Sequence, residues 1–400
     1  MKRRRPYEVV ISGSGPAGSG LALALTARCP ALAPDILVLE AGRHPREKPC
    51  GGGITADGVQ QLRAWGAVLD VPAVRMKGVG LRYRGRSTDI PAPRSEAVVV
   101  RRDAFDASLV EQVRERGVEI REGTPVKGVV RNSAGVDIAI PGGSVSARCV
   151  VGADGVAGAV RRSIGFPQGR RHSRLLVIET PPGSTPVDGG EPRFHFDFSC
   201  VAEGVQGYVW DFPCIIDGRP AVSRGIFDRA GDVVRRRDWK REFASALRER
   251  GISSEPKEWK GYPERAFNPR IPTAAPRVIL VGDAAGIDPL MGEGIAQSFS
   301  YAELAAETIL RARRSGNYEF RDHHKEVLRS PLGRELRLTA WAVDHLYDSR
   351  RFPFWISLLF ASRTVRRAVG DALSEGGGLS DRLGRIAIAS LGHLLSPWRN

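Results

Sequence analysis

Three glycines near the start of the chain have the spacing of a dinucleotide-binding turn. Gly13, Gly15 and Gly18 follow a short β-rich run and open an alanine- and leucine-rich helical stretch, and Glu40 follows about 20 residues later. In such a turn the second glycine lets the backbone approach a pyrophosphate, and the third allows close helix–strand packing. The helix N-terminus offers free N–H groups to the phosphates, and the acid accepts hydrogen bonds from a ribose. The pattern predicts dinucleotide binding and leaves FAD and NAD both open.

Three later stretches have the pattern of a strand followed by a tight turn and a helix. Arg102 and Asp106 lie at the head of an amphipathic helix, residues 152–155 read Gly-Ala-Asp-Gly, and residues 282–295 contain Gly-Asp and then Gly-Glu-Gly-Ile. Each alone could be an ordinary corner of an α/β fold. Together and in this order, they resemble the superfamily of FAD-dependent aromatic hydroxylases and geranylgeranyl reductases over residues 7–310.

The resemblance implies FAD as the cofactor. It implies that Arg102 contacts the pyrophosphate region, that Asp154 holds its Asp-Gly turn, and that Asp283 binds the ribityl–pyrophosphate part. One position departs from the family: Gly158 stands where serine is common, which weakens the match at that turn. We predict no metal site. The cofactor-binding residues predicted from the spacing and the resemblance are Gly13, Gly15, Pro16, Ala17, Gly18, Glu40, Ala41, Gly51, Gly52, Arg102, Val126, Asp154, Gly155, Gly282, Asp283, Gly292, Gly294 and Ile295.

The stretch Pro49-Cys50-Gly51-Gly52-Gly53 needs a physical reason, because consecutive glycines lose much backbone entropy on ordering. A loop pressed against a flat ring system supplies one; a flexible turn with an inert cysteine is the alternative. The pattern resembles that of geranylgeranyl reductases, which implies that Cys50 lies near the isoalloxazine. Cys50 is therefore the predicted catalytic residue, as proton donor or positioning group, with a purely structural role left open.

Aromatic residues alternate in the stretch GYVWDFPC, where Tyr208, Trp210 and Phe212 occupy every second position. Such side chains point to one face of a β-strand. The motif is similar to the YxWxFP motif of geranylgeranyl reductases, whose aromatics line the cavity for the prenyl chain. A second run, 194–198, alternates phenylalanines in the same way and includes Phe196. We predict that these four aromatics bind substrate, the alternative being a half-buried core strand.

The resemblance implies an FAD-dependent reductase that saturates double bonds of a prenyl or polyprenyl chain on an isoprenoid lipid, diphosphate or quinone. Hydride from N5 of the reduced flavin reaches one carbon and a proton the other, and aromatic faces stabilise the positive charge that develops. An FAD-dependent monooxygenase acting on an aromatic or prenylated metabolite is the alternative. A prenyl-binding carrier with a degenerate flavin site is a third hypothesis. No second GxGxxG is present, so NAD(P)H and a reduced carrier both stay open as electron donor.

We expect an α/β fold in which a Rossmann-like FAD-binding domain is interleaved with an antiparallel substrate sheet and followed by a helical C-terminal region. The stretch 76–95 reads as a hairpin of the substrate sheet. The predicted divisions are 1–75, 96–165 and 263–310 for FAD, 76–95 and 166–262 for substrate, and 311–400 for the helical region.

The chain of 400 residues has a formal net charge of +15. Nucleic acid, an anionic membrane, a phosphorylated ligand or a neutral compositional bias would each account for it. No zinc finger or RNA-recognition signature is present, so we expect no nucleic-acid partner. The arginines at 161, 162, 170, 171 and 174 either attract a diphosphate or phospholipid head group or are simply solvated.

Cysteine usage and hydropathy bear on the compartment. Five cysteines without a CxxC pair predict a reducing, cytoplasmic setting rather than a disulfide framework. We find no signal peptide and no apolar run of membrane-spanning length. The amphipathic stretch 376–398 either packs on the core or rests on an anionic membrane, so peripheral membrane association stays open.

Overall fold

The computed structural model describes residues 6–167, 172–183, 190–229, 238–375 and 378–382. The strands are β1 (Tyr7–Ser12), β2 (Ile36–Leu39), β3 (Gly53–Ile54), β4 (Ala73–Arg75), β5 (Gly78–Tyr83), β6 (Arg86–Pro91), β7 (Val98–Val100), β8 (Glu119–Arg121), β9 (Gly128–Arg131), β10 (Val136–Ile140), β11 (Gly143–Gly152), β12 (His172–Thr180), β13 (Phe194–Asp197), β14 (Gly207–Ile216), β15 (Arg219–Asp228), β16 (Lys260–Arg265), β17 (Ala274–Ala275) and β18 (Val278–Leu280).

The α-helices are α1 (Pro16–Arg28), α2 (Ala56–Ala64), α3 (Arg102–Glu115), α4 (Ala159–Ser163), α5 (Trp239–Glu249), α6 (Ile295–Ser315), α7 (His323–Arg329), α8 (Pro331–Leu346), α9 (Phe352–Ala361) and α10 (Arg363–Glu375). Short 3₁₀ helices lie at Pro30–Asp35, Ser199–Val201, Pro256–Glu258, Gly282–Ala284 and Leu379–Arg382.

A mainly parallel sheet forms the first layer, in the order β17-β18-β11-β1-β2-β8. Strand β1 lies parallel between β11 and β2, and β9 and β10 extend β11 as antiparallel strands. Strands β2 and β18 are apolar and fully buried, as central parallel strands must be when both faces are covered. Helix α1 packs against α3 and α6. This is the Rossmann-type layer that the glycine pattern predicts.

A mainly antiparallel sheet forms the second layer, in the order β16-β12-β15-β14-β13-β5-β6. Only the β13–β5 pair is parallel among its described strands. On its outer face, α5 packs with Phe243 and Leu247 fully buried. There Arg250 donates hydrogen bonds of 2.7–2.9 Å to buried Asp211. The inner face of this sheet is therefore left for the space between the layers.

Helices after residue 310 continue the chain, as the sequence predicts. Helix α8 begins at Pro331 after Ser330, whose hydroxyl oxygen accepts a hydrogen bond from the Gly333 N–H at 3.1 Å. Phe352 opens α9 and packs against Tyr83 of the second sheet, with ring centroids 5.4 Å apart. The α/β fold class with a helical C-terminal region is thus confirmed, and none of the described helices could span a membrane.

The division into domains stays a prediction. Strands β5 and β6 pair as an antiparallel hairpin, and β12 to β16 belong to the same sheet. Strand β16 runs to Arg265, so the second sheet extends a few residues past the predicted boundary at 262. Of the amphipathic stretch 376–398, residues 376–377 and 383–398 lie outside the described residues, as do Arg170 and Arg171.

Candidate active site

A cavity of about 750 Å³ lies between the two layers. One wall is built from the carboxyl ends of β1, β2 and β11 and the loops that follow them. The inner face of the second sheet forms the opposite wall, and the loops 46–53 and 291–295 close the sides. Loops at the carboxyl ends of parallel strands are the usual place for ligands in open α/β sheets.

The glycine turn after β1 opens the N-terminus of α1 into this cavity. Gly13 has φ +102°, and a Cβ atom there would be 2.4 Å from the Ala153 carbonyl oxygen. At Gly15 the nearest atom to an added Cβ is Arg46 Nη2, at 3.6 Å, so this glycine faces open space. No side chain caps α1, and its first N–H groups are available to an anion.

Glu40 is held by the turn itself. Its carboxylate accepts hydrogen bonds from the N–H and the hydroxyl of Ser14, both at 2.8 Å, and from the N–H of Gly42 at 2.9 Å. Burial acts to raise the pKa of Glu40, but the Arg46 guanidinium and these N–H groups outweigh it and hold that pKa below its usual value. A negative carboxylate therefore lies on the cavity wall beside the turn, ready to accept hydrogen bonds.

Cations surround the same end of the cavity. Arg102 binds Asp106 one helical turn later through two hydrogen bonds of 2.9 and 3.0 Å. Burial acts to lower the pKa of Arg102, but Asp106 and the neighbouring Cys50 outweigh it and raise that pKa. Arg46 lies 3.7 Å from Asp106. Two guanidinium groups and a free helix N-terminus form a donor set that fits a diphosphate.

Lys48 is a third cation on this wall, and no motif in the sequence drew attention to it. Its Nζ lies over the Tyr262 ring, 2.9 Å from the centroid, and 3.9 Å from Asp283 Oδ2. Burial lowers the pKa of Lys48 to about 8, although Asp283 acts to raise it. The lysine therefore carries a charge at neutral pH that nearby anions only partly offset.

Asp154 anchors the turn after β11. It accepts hydrogen bonds from the Val160 N–H at 3.1 Å and the Ser12 hydroxyl at 3.3 Å, and burial raises its pKa. A Cβ atom at Gly158 would be 2.0 Å from Asp154 Oδ1. The family commonly has serine at position 158. Here glycine leaves the room that the Asp154 carboxyl group occupies.

The Pro49–Gly53 loop runs beneath the aromatic face of the second sheet. Gly52 has φ +76°, and a Cβ atom there would be 2.0 Å from the Val100 carbonyl oxygen. A Cβ atom at Gly51 would be 3.0 Å from the Phe212 ring. The Cys50 sulfur accepts a hydrogen bond from the Gly52 N–H at 3.4 Å. The Phe212 ring and the Val100 carbonyl group therefore leave no room for side chains at Gly51 and Gly52.

Aromatic rings form the opposite wall. Phe196 packs edge-on against Tyr208 and Phe212, with centroids 5.1 and 5.3 Å apart, and Tyr208 stacks on Phe227 at 5.4 Å. The rings are largely buried, yet they line the cavity. The buried indole Nε1 of Trp210 has no hydrogen-bond partner. The alternating aromatics thus face a void rather than a closed core.

The segment before α6 forms a side of the cavity through Gly292, Gly294 and Ile295. Between the two glycines, Glu293 accepts a hydrogen bond from the Thr55 hydroxyl at 2.8 Å, and burial raises its pKa to about 7. The Tyr208 hydroxyl donates a hydrogen bond to the Met291 carbonyl. This segment therefore connects the aromatic wall to the helix N-terminus.

The structure brings nearly all of the predicted site residues to this one cavity. Gly18 and Gly282 are the exceptions and lie behind the wall as spacers: a Cβ atom would be 1.9 Å from the Gly13 carbonyl oxygen at Gly18 and 2.8 Å from Ala17 Cβ at Gly282. The wall residues that sequence reasoning missed include Arg46, Lys48, Phe227, Tyr262, Glu264 and Glu293. The Tyr-Pro-Glu stretch 262–264 places two of them on one face of a strand, but nothing in that stretch indicates a cavity.

The predicted arginine cluster is divided by the fold. Arg161 is fully buried and donates a hydrogen bond to the Ala284 carbonyl at 2.9 Å. Arg174 binds Asp228 and lies over the Trp239 ring. Arg162 lines the cavity. A shared anion-binding role for the whole cluster is therefore not supported by the residues that the structure describes.

Comparison with known families decides the class of this protein. The model of the FAD binding domain family matches residues 6–307. The chain belongs to this family. FAD is thus its cofactor, as the sequence predicts, and the cations and glycine turn described above fit that cofactor.

The five cysteines of the chain are free thiols.

Relatives of this FAD binding domain protein include reductases. It is 30% identical over 336 residues to the menaquinone reductase of Mycolicibacterium smegmatis, covering 76% of each chain. It is 24% identical over 324 residues to the digeranylgeranylglycerophospholipid reductase of Methanococcus vannielii, covering 78% of this chain and 79% of the other. The predicted resemblance is confirmed: the protein is a geranylgeranyl reductase-like FAD-dependent oxidoreductase.

A solved structure shares the fold. The geranylgeranyl bacteriochlorophyll reductase-like protein of Thermoplasma acidophilum superposes with a TM-score of 0.73 at 21% identity, over 96% of both chains. At this identity the likeness concerns the fold alone.

Proposed function

We propose that this protein reduces isolated carbon–carbon double bonds in the prenyl or polyprenyl chain of an isoprenoid lipid or quinone. One observation carries the proposal: the FAD-binding turn and the aromatic wall line the same cavity of about 750 Å³. A chain held against Tyr208, Trp210, Phe212 and Phe196 would share that space with the cofactor. The menaquinone and digeranylgeranylglycerophospholipid reductases named above support this substrate class.

The residues at the glycine turn are suited to hold FAD. The N–H groups at the start of α1 and the guanidinium groups of Arg46 and Arg102 neutralise the diphosphate, and Glu40 accepts hydrogen bonds from the ribose. Asp154 and Asp283 line the same cavity. When bound and reduced, FAD supplies a hydride to the substrate.

The aromatic wall serves the rest of the reaction. Its rings offer an apolar surface to a prenyl chain, and their faces stabilise positive charge that develops at the tertiary carbon of the double bond. Because the rings are closely packed, the wall also excludes water from the reacting carbons. Cys50 lies between this wall and Arg102, which suits a group that positions the loop and the reacting partners.

The experiment offers three candidate chains to the FAD-loaded protein under argon with a chemical reductant: a menaquinone, geranylgeranyl diphosphate and a digeranylgeranyl glycerophospholipid. After the protein is removed and any quinol is re-oxidised in air, we expect mass spectrometry to find at least one of the three with two hydrogen atoms added to its chain per reduced bond. A product that forms only when oxygen is admitted, and that carries oxygen, would replace the reductase by the monooxygenase. Reduction of none of the three, with or without oxygen, would also contradict the proposal.

We extend the proposal to a membrane surface at the C-terminal helices. Trp341 of α8 is 61% exposed, and Phe354 and Trp355 of α9 are partly exposed. Exposed arginines flank α9 at positions 350, 351, 363 and 367. Exposed aromatics beside arginines suit an anionic lipid surface. Co-sedimentation with anionic but not zwitterionic vesicles, weakened by Trp341→Ser, is the expected result; equal recovery with both vesicles would contradict it.

A further inference from the structure

Glu264 places a carboxyl group on the inner face of the second sheet. It lies in the edge strand β16, opposite Ser173 of β12, two residues after Tyr262. Residues two apart in a strand share a face, and both Tyr262 and Glu264 line the cavity. The carboxyl group therefore points into the space that the cofactor and the substrate share.

The Glu264 carboxyl group has no fixed partner. Its Oε2 is shielded from solvent and makes no hydrogen bond, and no cation lies within ion-pair distance of Glu264 in the described part of the chain. A Cβ atom at Gly292 would be 2.8 Å from this oxygen and 2.9 Å from the Phe227 ring. The unpartnered oxygen thus lies where the Gly292 loop meets the aromatic wall.

Burial raises the pKa of Glu264 well above its usual value. Asp283 and Asp288 raise this pKa further, whereas Lys48 and Arg102 act to lower it. Burial therefore favours the protonated form of this carboxyl group, which is the form that can donate a proton. The titratable groups that face it are Lys48 in the 46–53 loop, Arg102 in α3, Tyr208 in β14, Tyr262 in β16, Asp283 after β18 and Asp288 before α6.

Other donors on the wall are less suitable. The Tyr208 hydroxyl already donates to the Met291 carbonyl, and burial raises its pKa well above the usual value. The unpartnered indole N–H of Trp210 is not an acid in this pH range. Glu293 accepts the Thr55 hydroxyl and lies in the loop rather than on the sheet. Glu264 combines an acid, an unpartnered oxygen and a position beside an aromatic ring.

We propose that Glu264 is the acid that delivers the proton to the substrate double bond. This inference rests on the proposed function. The π electrons of the alkene would form a C–H bond with the carboxyl proton, the O–H electron pair would stay on the carboxylate, and the hydride that reduced FAD would supply would form the second C–H bond. Glu264 takes up a proton from solvent before the next turnover.

The first test asks whether Glu264 holds a proton and needs no substrate. Infrared spectra of the FAD-loaded protein at pH 7 are compared with those of Glu264→Gln, in water and in heavy water. We expect the wild type to contain a protonated-carboxyl band that moves in heavy water and that Glu264→Gln lacks. Glu111→Gln, which alters an exposed glutamate of α3, should keep the band. Identical bands in wild type and Glu264→Gln would overturn the proposal.

The second test measures turnover on the prenyl substrate that the wild type accepts. We expect Glu264→Gln to lose about 100-fold or more in product formation while keeping FAD content, circular dichroism and the rate of chemical FAD reduction. Glu264→Asp should retain part of the rate. Turnover of Glu264→Gln within twofold of wild type would overturn the role of Glu264. An inactive wild type would instead contradict the proposed function, and the infrared comparison would still decide the protonation of Glu264.

Discussion

The indole ring of Trp210 lies directly on Gly225. The two residues face each other in the β14–β15 register, and a Cβ atom at Gly225 would be 2.1 Å from Cζ2 of that ring. The same Cβ atom would also be 2.4 Å from the Leu176 carbonyl oxygen, so it could not avoid the ring by a small shift of the backbone. Because Gly225 has no side chain, the Trp210 ring can occupy this position on the aromatic wall.

Gly225→Ala should displace Trp210 and destabilise the second sheet. Over-packing of a tight core typically costs about 1–3 kcal/mol. Urea unfolding and tryptophan fluorescence measure the two effects. The control is Gly128→Ala in β9, where an added Cβ meets nothing nearer than Ser163 Oγ at 3.6 Å. Equal stability of the two variants would contradict the close contact.

Gly15→Ala should separate cofactor binding from folding. An alanine methyl group fits at Gly15 without a close contact in the protein, so the free energy of unfolding of the apoprotein should change little. The methyl group would stand where the diphosphate approaches, and we expect FAD affinity to fall at least about tenfold, or 1.4 kcal/mol. Calorimetric titration with FAD measures it.

Gly13→Ala is the matched contrast. Its φ is positive and its Cβ would be 2.4 Å from a backbone oxygen, so this variant should lose stability before FAD is added. If Gly15→Ala bound FAD as tightly as wild type, the diphosphate would have to lie elsewhere.

Lys48 should make the stability of the apoprotein depend on pH. Its pKa is about 8 in the folded protein, against an ordinary lysine value of 10.5 in an unfolded chain. Between these values the unfolded chain binds a proton that the folded protein does not, so the free energy of unfolding rises with pH, by up to about 3 kcal/mol. Urea unfolding of wild type and Lys48→Met at pH 7.5 and 10 isolates this contribution.

FAD should reduce that dependence, because its diphosphate stabilises the Lys48 ammonium and raises the pKa again. A wild type that parallels Lys48→Met at both pH values would show that Lys48 is not a buried, destabilised cation. A pH dependence unchanged by FAD would remove Lys48 from the cofactor site.

Cys50→Ala should keep FAD and lose most turnover. The thiol lies between the aromatic wall and Arg102, where its removal alters the positions of the loop and the reacting groups. Absorbance of bound FAD and the rate of product formation measure the two properties, and a KM unchanged beside a lower kcat would indicate action after binding. Normal turnover would remove Cys50 from the catalytic residues.

The glycine turn and the aromatic strand could be predicted because local physics fixes them. Gly13 needs a positive φ, and the alternation of Tyr208, Trp210 and Phe212 follows directly from the strand period. The face on which those rings lie could not be predicted, because it depends on which sheet side α5 covers. That the glycines at 51–53 meet the cofactor ring stays a prediction, and the structure adds that the Val100 carbonyl and the Phe194 and Phe212 rings lie close to them.

Glu264 and Lys48 could not be found from the sequence. Neither belongs to a motif, and each reaches the cavity through a long-range relationship: the β12–β16 register for Glu264 and the course of the loop after β2 for Lys48. Their raised and lowered pKa values arise from burial and from partners far along the chain, such as Asp283.

A single turnover under argon tests most directly whether FAD and the prenyl chain react in the cavity that they are proposed to share. The FAD-loaded protein is reduced with one equivalent of reductant and mixed with a menaquinone, and the product is exposed to air before mass spectrometry so that ring hydrogens are removed and only chain hydrogens are counted. We expect the absorbance of oxidised FAD to return as the chain gains two hydrogen atoms for each FAD. An unchanged chain would contradict the account, whether the absorbance returns under argon through reduction of the quinone ring or only when oxygen enters.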